Sequence, residues 1–245
     1  MKKHIPNIIT LLNLFCGSIA VVFAVENNLF MAAVFVVLGI VFDFFDGFAA
    51  RLLHVKSELG LQLDSLADMI TSGMVPGIVM FKLLEQTSNP FPVNFDVTSG
   101  WEDGMQYSFV PLIGLLVTLA SCYRLAKFNI DTRQTESFIG LPTPANTLFI
   151  LSLPLILMTN DVQWINDLIL NKWFLIAVTG LSCYLLNAEL PLFSLKMKTY
   201  GFKENAVKYI FLIACIFLLF TLHYIAFPLI ILLYILLSVL ITLRK

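Results

Sequence analysis

Residues 39–73, GIVFDFFDGFAARLLHVKSELGLQLDSLADMITSG, decide the architecture of this chain. They hold the end of one apolar stretch, a short polar connection and the beginning of a second apolar stretch. Two such stretches in succession predict a helical hairpin, and four aspartates lie within it. Charged side chains inside apolar sequence are costly in a membrane, so the fold and the function must both account for them.

The composition of the whole chain is that of a membrane protein. Of 245 residues, 59% are hydrophobic and only 13% are charged, whereas soluble domains are about 45–50% apolar and about 25% charged. The mean hydropathy is +0.89. These values exclude disordered, collagen-like and small disulfide-bonded classes. A net charge of −1 gives no support for nucleic-acid binding.

Apolar stretches of membrane-spanning length recur along the chain, and a helix needs roughly 20 residues to cross the hydrocarbon core. Their continuity lacks the two-residue alternation of a membrane β-barrel. The sequence therefore predicts an all-α, polytopic membrane helix bundle of about eight transmembrane helices, with residues 1–245 forming a single membrane domain. The predicted spans are residues 5–25, 29–50, 63–84, 107–127, 142–160, 172–190, 206–222 and 225–243.

The distribution of cations predicts which side of the membrane the loops face. All of the 15 Lys and Arg residues except Lys82 and Lys172 fall on one side of the predicted bundle. Both termini are therefore expected to be cytoplasmic. The first span follows two lysines, as a secretory signal does, but its apolar part is too long for one, so a retained helix is expected. The absence of N-glycosylation sequons favours a bacterial inner membrane.

The four aspartates are spaced to project from two helix faces. Asp43 and Asp46 are three residues apart, and Asp64 and Asp68 are four apart, so each pair lies on one face of its helix. Antiparallel packing of the hairpin can bring all four carboxylates together at its cytoplasmic end. Two carboxylates about 5 Å apart repel by roughly 3 kcal/mol at an effective dielectric constant near 20. A divalent cation among them would remove that repulsion.

The side chains that could coordinate a cation indicate which metal ions the site would prefer. An all-oxygen set without His or Cys favours Mg²⁺ or Mn²⁺. Gly47 and Ala50 continue the Asp43–Asp46 face, where small residues permit either close helix packing or a ligand pressed against the backbone, and Arg51 is suited to a phosphate. Two alternatives stay open at this point: a structural ion-pair network, and the proton or ion path of a transporter.

The full spacing of this segment resembles the motif of the CDP-alcohol phosphotransferase family. It reads D-x2-D-G-x2-A-R-x8-G-x3-D-x3-D from Asp43 to Asp68, with Gly60 at the second fixed glycine. The resemblance implies an enzyme in which an alcohol attacks the lipid-side phosphorus of a CDP-linked lipid and expels CMP. It also implies two divalent metal ions held by the four aspartates, with Asp68 as the general base.

The resemblance also assigns residues around the aspartates. It implies that the CDP-lipid contacts Gly47, Ala50 and Arg51, that Ser57 adds a hydroxyl, and that Asn7 and Thr10 line the cytidine pocket. It places the catalytic core at about residues 5–160, with additional C-terminal helices at about 172–243. It further suggests a homodimer and an active site at the cytoplasmic face.

Further stretches resemble the integral-membrane branch of the family that uses serine as the acceptor alcohol. They are Ile5–Gly17, Asp64–Asp68 and Tyr123–Asn129, the last followed by Gly140–Asn146. This implies that CDP-diacylglycerol and L-serine are the substrates and that phosphatidylserine and CMP are the products.

The acceptor pocket is less well specified by the sequence than the CDP-lipid pocket. Arg124 and Lys127 are expected to bind the acceptor. With Arg133 they also leave glycerol 3-phosphate or an inositol phosphate as alternative acceptors. The segment Thr71–Gly73 reads TSG where the family usually has SFG, which is a departure at the acceptor side.

Overall fold

The computed structural model describes residues 4–55, 57–88, 109–131, 138–192 and 201–243. Within these ranges the protein is an all-α membrane helix bundle, as the sequence predicts. The α-helices are α1 (Ile5–Val25), α2 (Leu29–Leu52), α3 (Glu58–Asp68), α4 (Val75–Ser88), α5 (Leu116–Ile130), α6 (Thr143–Thr159), α7 (Gln163–Ile169), α8 (Lys172–Asn187), α9 (Phe202–Leu222) and α10 (Ala226–Leu243).

Short irregular elements connect several of these helices. A π-helix at Met69–Met74 joins α3 to α4, and 3₁₀-helices at Val110–Leu115 and His223–Ile225 precede α5 and α10. Two-residue strands, β1 (Phe138–Ile139) and β2 (Pro191–Leu192), pair antiparallel. The sequence analysis predicted neither the π-helix nor the strand pair.

Local sequence explains where the two helices of the aspartate hairpin begin. Asn28 precedes α2, and its side chain accepts a hydrogen bond from the Met31 backbone N–H at 3.2 Å. Ser57 precedes α3, and its Oγ accepts from the Gly60 N–H at 3.0 Å. Both are N-caps, which satisfy backbone donors that a helix start leaves unpaired. The Ser57 cap fixes the residue at which the polar connection after α2 ends and α3 begins.

The number of membrane crossings follows less directly from helix length. By length and composition, five helical segments among the described residues could cross a membrane, or six when the bent pair α7–α8 is counted as one span. The apolar helix α6, with 17 residues, is shorter than these segments. The prediction of eight crossings therefore stays a prediction.

The C-terminal apolar segment folds back on itself. The segment Asn205–Ile241 has the length and hydropathy of a single long span, but the rings of Phe211 and Tyr234 lie 5.8 Å apart between centroids. In a straight helix, two residues this far apart in sequence would be separated by about 34 Å, at about 1.5 Å per residue. Helices α9 and α10 are therefore an antiparallel hairpin, with the 3₁₀ turn at His223–Ile225 as its tip.

Small residues form the contact between α1 and α2. Ala20 and Ala24 of α1, with Ala32 and Ala33 of α2, are at most 6% exposed. Such residues let two helix backbones approach closely in a membrane. Large apolar side chains instead cover the outer surface, for example Phe220, which is 82% exposed. This arrangement matches an apolar solvent around the bundle.

Contacts between the helix ends define the two ends of the bundle. At one end, which we call the site end, Ser65 contacts Asn129. At the opposite end, the Gln86 amide contacts Asn27 at 3.5 Å. Most of the cations behind the orientation prediction lie outside the described residues or have side chains that do: Lys2, Lys3, Lys56, Arg133, Lys196, Lys198, Lys203, Arg244 and Lys245.

Candidate active site

Three of the four aspartates form a cluster at the site end. Oxygens of Asp43 and Asp46 on α2 and of Asp64 on α3 all lie within 4.8 Å of one another. Asp46 is 6% exposed, and Asp43 and Asp64 are half-buried. The spacing predicted that all four carboxylates could meet, and the helical hairpin brings three of them into one cluster, although they are up to 21 residues apart in sequence.

The surroundings of this cluster fit a divalent cation. No Lys, Arg or His forms a salt bridge with these three carboxylates in the described part of the chain; the salt bridges found there are Lys82–Glu85 and Lys127–Glu189. Three carboxylates at this separation in a low-dielectric environment repel strongly unless a cation or protons intervene. The donors are all oxygens, which are the ligands that Mg²⁺ and Mn²⁺ prefer.

Asp68 lies outside the three-carboxylate cluster but near it. It ends α3, one helical turn after Asp64, and its carboxylate interacts electrostatically with Asp64 and Asp46. Its Oδ1 accepts a hydrogen bond from the Asn13 amide at 3.4 Å. The fourth aspartate of the motif is thus held separately, by a residue of α1.

Helix α1 supplies hydrogen-bonding partners to the aspartates. Thr10, which is 3% exposed, donates from its Oγ1 to Asp46 Oδ2 at 2.5 Å. Asn13, one turn later and fully buried, contacts Asp68 and also accepts a hydrogen bond from Thr71 Oγ1 at 2.8 Å. The polar residues of α1 therefore face the site and hold two of its carboxylates in place.

A cavity of about 1010 Å³ opens beside the aspartate cluster. Asp43, Asp46 and Asp64 line it together with residues of α1, α2 and the connection between α2 and α3. All the residues predicted to contact the CDP-lipid are among its lining residues: Asn7, Thr10, Gly47, Ala50, Arg51 and Ser57.

The structure gives further information on the roles of two of these lining residues, Gly47 and Ser57. A Cβ added to Gly47 would meet no heavy atom of the described residues within 4 Å. Close helix packing therefore does not explain this glycine, and of the two explanations offered by the sequence the one involving a ligand remains. The Ser57 hydroxyl accepts from the Gly60 N–H as the cap of α3. Ser57 therefore has a structural role whether or not it also contacts a ligand.

The residues predicted to bind the acceptor lie on α5, outside the lining of this cavity. Arg124 is 8% exposed, and its guanidinium is close enough to Asp68 for electrostatic attraction. Its Nε is buried and has no hydrogen-bond partner among the described residues. Lys127 instead forms a 3.5 Å salt bridge with the exposed Glu189. Only Arg124 is thus brought next to the aspartates.

The structure also identifies buried polar residues to which the sequence analysis assigned no individual role. Asn13 is one, and polar residues three apart on an otherwise apolar α1 could have signalled it, because such a pattern marks a face turned toward the protein interior. Others are buried and have side-chain atoms without hydrogen-bond partners among the described residues: Ser72, Ser121 and Asn146. Ser72 and Asn146 lie in stretches that the sequence singles out, Thr71–Gly73 and Gly140–Asn146, but no local pattern selects these two side chains within them, and none selects Ser121.

Comparison with known proteins supplies the family context. The sequence profile of the CDP-alcohol phosphatidyltransferase family matches residues 3–184. The match includes every residue of the aspartate cluster and continues through most of α8.

Curated relatives of this chain share one name, CDP-diacylglycerol–serine O-phosphatidyltransferase. The protein from Bacillus subtilis is 34% identical over 146 residues, which cover 58% of this chain and 70% of the relative. The Saccharomyces cerevisiae protein is 33% identical over 166 residues, covering 61% and 53%. One from Helicobacter pylori is 31% identical over 147 residues, covering 59% and 54%. The chain thus spans only about half the length of the latter two.

Proposed function

The chain belongs to the CDP-alcohol phosphatidyltransferase family, and on that premise we propose that it is a CDP-diacylglycerol–serine O-phosphatidyltransferase. It would transfer a phosphatidyl group from CDP-diacylglycerol to the hydroxyl of L-serine and release CMP. The observation that carries the proposal is the cavity beside Asp43, Asp46 and Asp64, which is lined by all the residues expected to contact the CDP-lipid. The shared name of the relatives supports serine as the acceptor.

The chemistry requires a proton acceptor beside the reacting hydroxyl. The serine oxygen forms a bond to the lipid-side phosphorus, the bond from that phosphorus to the CMP phosphate breaks, and the hydroxyl proton must leave. We assign that proton to Asp68, because this carboxylate stands apart from the three-carboxylate cluster and faces Arg124. A positioned carboxylate base contributes about 10²- to 10⁴-fold to such a reaction.

The aspartate cluster is the proposed metal site. Asp43, Asp46 and Asp64 would hold a Mg²⁺ or Mn²⁺ ion; a second ion, and Asp68 as a further ligand, are expectations from the family motif. When bound, such an ion neutralises phosphate oxygens and stabilises the leaving phosphate. The Thr10 hydroxyl donates to one Asp46 oxygen and so helps to fix the orientation of that carboxylate.

The acceptor side of the site favours an unphosphorylated alcohol. A phosphorylated acceptor would need several clustered cations, but Arg124 is the one cation that the described structure places near Asp68, while Lys127 is paired with Glu189. One guanidinium suits the single carboxylate of serine. Arg133, the third cation considered for a phosphorylated acceptor, lies outside the described residues.

The membrane topology is part of the same proposal. We infer eight crossings with both termini and the active site at the cytoplasmic face of a bacterial inner membrane, in a homodimer. The contacts at the two bundle ends support the alternation of α1 to α5, and the α9–α10 hairpin adds two antiparallel passes. The helices after α6 would complete the bundle around a core at residues 5–160.

One assay tests the proposed reaction. Purified protein in detergent, given CDP-diacylglycerol and Mn²⁺ or Mg²⁺, should release CMP when L-serine is added and not when glycerol 3-phosphate replaces it. Excess EDTA should abolish the release. Asp68→Asn should reduce kcat by about 100-fold or more, since a general base is lost, while CDP-diacylglycerol binding is retained.

Each arm has a result that contradicts its part of the proposal. CMP release that does not depend on serine would exclude serine as the acceptor. Activity that survives chelation would exclude the metal site. An Asp68→Asn variant with near-normal kcat would remove Asp68 as the base and leave the family assignment untouched.

A further inference from the structure

Asn13 and Thr71 form a hydrogen-bonded chain that ends on Asp68. Thr71 Oγ1 donates to Asn13 Oδ1 at 2.8 Å, and Asn13 Nδ2 donates to Asp68 Oδ1 at 3.4 Å. Asn13 is fully buried and Thr71 is 1% exposed. We propose that Asn13, with its amide orientation set by Thr71, is a positioning residue that holds the Asp68 carboxylate for proton transfer. This inference rests on the proposed role of Asp68 as the base.

The direction of the hydrogen bonds follows from what surrounds the Thr71 hydroxyl. Two acceptors of Asn13 face it, the side-chain Oδ1 at 2.8 Å and the backbone carbonyl at 3.3 Å. The hydroxyl is therefore a donor, and it favours the amide orientation that turns Oδ1 toward Thr71. In that orientation the NH₂ group points to Asp68, whereas the flipped amide would set an oxygen against a carboxylate.

The consequence for Asp68 is a restriction on one of its two oxygens. Oδ1 is engaged by Asn13, and no hydrogen bond to Oδ2 is formed by the described residues. A carboxylate held in this way presents Oδ2 in a fixed direction, so that less reorganisation is needed when the acceptor hydroxyl gives up its proton.

Two glycines leave the space that the hydrogen-bonded side chains of Asn13 and Thr71 occupy. A Cβ on Gly39 of α2 would lie 2.8 Å from Asn13 Oδ1 and 2.7 Å from Thr71 Cγ2. A Cβ on Gly17 of α1 would lie 3.1 Å from Thr71 Cα. These distances are at or below the closest approach that real Cβ atoms commonly make, so α1, α2 and the π-helix pack closely around Asn13 and Thr71. The pair is held rigidly, as a positioning role requires.

The test separates the hydroxyl of Thr71 from its volume: Thr71→Val keeps the volume and removes the hydroxyl, whereas Thr71→Ser keeps the hydroxyl and removes the methyl group. Thr71→Val should lower kcat about 10-fold with KM for CDP-diacylglycerol changed less than 2-fold, whereas Thr71→Ser should keep kcat within about 2-fold of the parent protein. Thr179→Val is the matched control, since it removes a fully buried threonine hydroxyl of α8 whose one hydrogen-bond partner among the described residues is Leu175 of its own helix. It should leave kcat unchanged.

A double-mutant cycle separates positioning from packing. Asn13→Ala should lower kcat at least as much as Thr71→Val, and the double variant should be no slower than Asn13→Ala alone, because the hydroxyl acts through the amide. Losses that multiply in the double variant, or a Thr71→Val enzyme with normal kcat, would overturn the proposal.

The remaining outcomes are also decisive. If Thr71→Val does not fold, Thr71→Cys replaces it, and its weakly donating thiol should give a kcat between those of Thr71→Ser and Asn13→Ala; a kcat equal to that of Thr71→Ser would again contradict the proposal. Failure here is distinct from failure of the base assignment. An active Asp68→Asn enzyme refutes the base, whereas an inactive one beside a normal Thr71→Val enzyme refutes only the positioning role.

Discussion

Gly47 illustrates how a single residue can connect the motif with the cavity. It lies on α2 directly after Asp46, it lines the cavity, and nothing in the described structure lies within 4 Å of the place where a Cβ would be. Glycine destabilises a helix interior by about 0.5–1 kcal/mol relative to alanine. A residue that is unfavourable for the helix and unnecessary for packing is best explained by a ligand that lies against the backbone.

A larger side chain at position 47 should therefore harm ligand binding and spare the fold. We predict that Gly47→Leu raises KM for CDP-diacylglycerol at least about 10-fold, because the side chain would occupy the cavity, with an unchanged melting temperature or a small increase from helix propensity. Steady-state kinetics and thermal unfolding in detergent measure the two effects.

Gly180→Leu is the control for this substitution. A Cβ added to Gly180 of α8 would likewise meet no described atom within 4 Å, and this glycine lies outside the cavity lining. The variant should gain the same helix propensity without a change in KM. Equal kinetic effects at positions 47 and 180 would show that Gly47 has no special relation to the ligand.

At the level of single residues, the sequence predicted some members of the site and missed others. Asp43, Asp46 and Asp64 could be placed together because helical spacing and a tight hairpin leave little freedom. Asn13 could not be placed, since its partners Asp68 and Thr71 are more than 50 residues away and only the crossing of α1 with α3 brings them together. A local pattern cannot report that crossing.

The π-helix at Met69–Met74 has a cause in the sequence that follows it. Pro76 carries no N–H, so the carbonyl of Ser72 loses the donor that a regular α-helix would provide. The Thr147 hydroxyl of α6 donates to that carbonyl at 2.8 Å. The interruption after Asp68 is thus stabilised from a neighbouring helix, and π-helical turns occur frequently at functional sites.

Loss of the Thr147 hydroxyl should loosen this junction. We predict that Thr147→Val destabilises the protein by about 0.5–1.5 kcal/mol, the usual net value of one intramolecular hydrogen bond. Thr179→Val should cost less, because within the described part of the chain the Thr179 hydroxyl bonds to Leu175 of its own helix and to no other element. Thermal unfolding of the two variants in the same detergent compares them, and an equal or greater loss for Thr179→Val would contradict the role of Thr147.

At the scale of the whole molecule, apolar length predicted the helices better than it predicted their connections. Each predicted span corresponds to a helical region in the structure where its residues are described, because apolar helices in a membrane have no competing structure. Helix ends and bends were not predicted: α3 begins at Glu58, five residues before the predicted span, since Ser57 caps it. Helix caps and bends depend on single residues, and these do not show in the hydropathy averaged over a whole apolar stretch.

The predicted orientation can be tested at the two ends of the bundle. In a variant lacking the free thiols of Cys16, Cys122, Cys183 and Cys215, we would introduce His4→Cys before α1 and Asp161→Cys between α6 and α7. Both positions are exposed in the structure. A membrane-impermeant maleimide added to intact cells should label the thiol at position 161 and not the thiol at position 4 until the membrane is permeabilised. Labelling at position 4 and not at position 161 in intact cells would show that the topology is the opposite of the predicted one.

The hairpin that carries the aspartates has a consequence for how the protein is made. The three-carboxylate cluster, and every lining residue expected to contact the CDP-lipid, lie between Asn7 and Asp64, whereas Arg124 belongs to a helix synthesised later. Chains insert and fold from the N-terminus as they are synthesised. The part of the site proposed to bind the nucleotide can therefore assemble while the ribosome is still translating the part proposed to bind the alcohol. A shortened chain ending after α4 should already contain the nucleotide part.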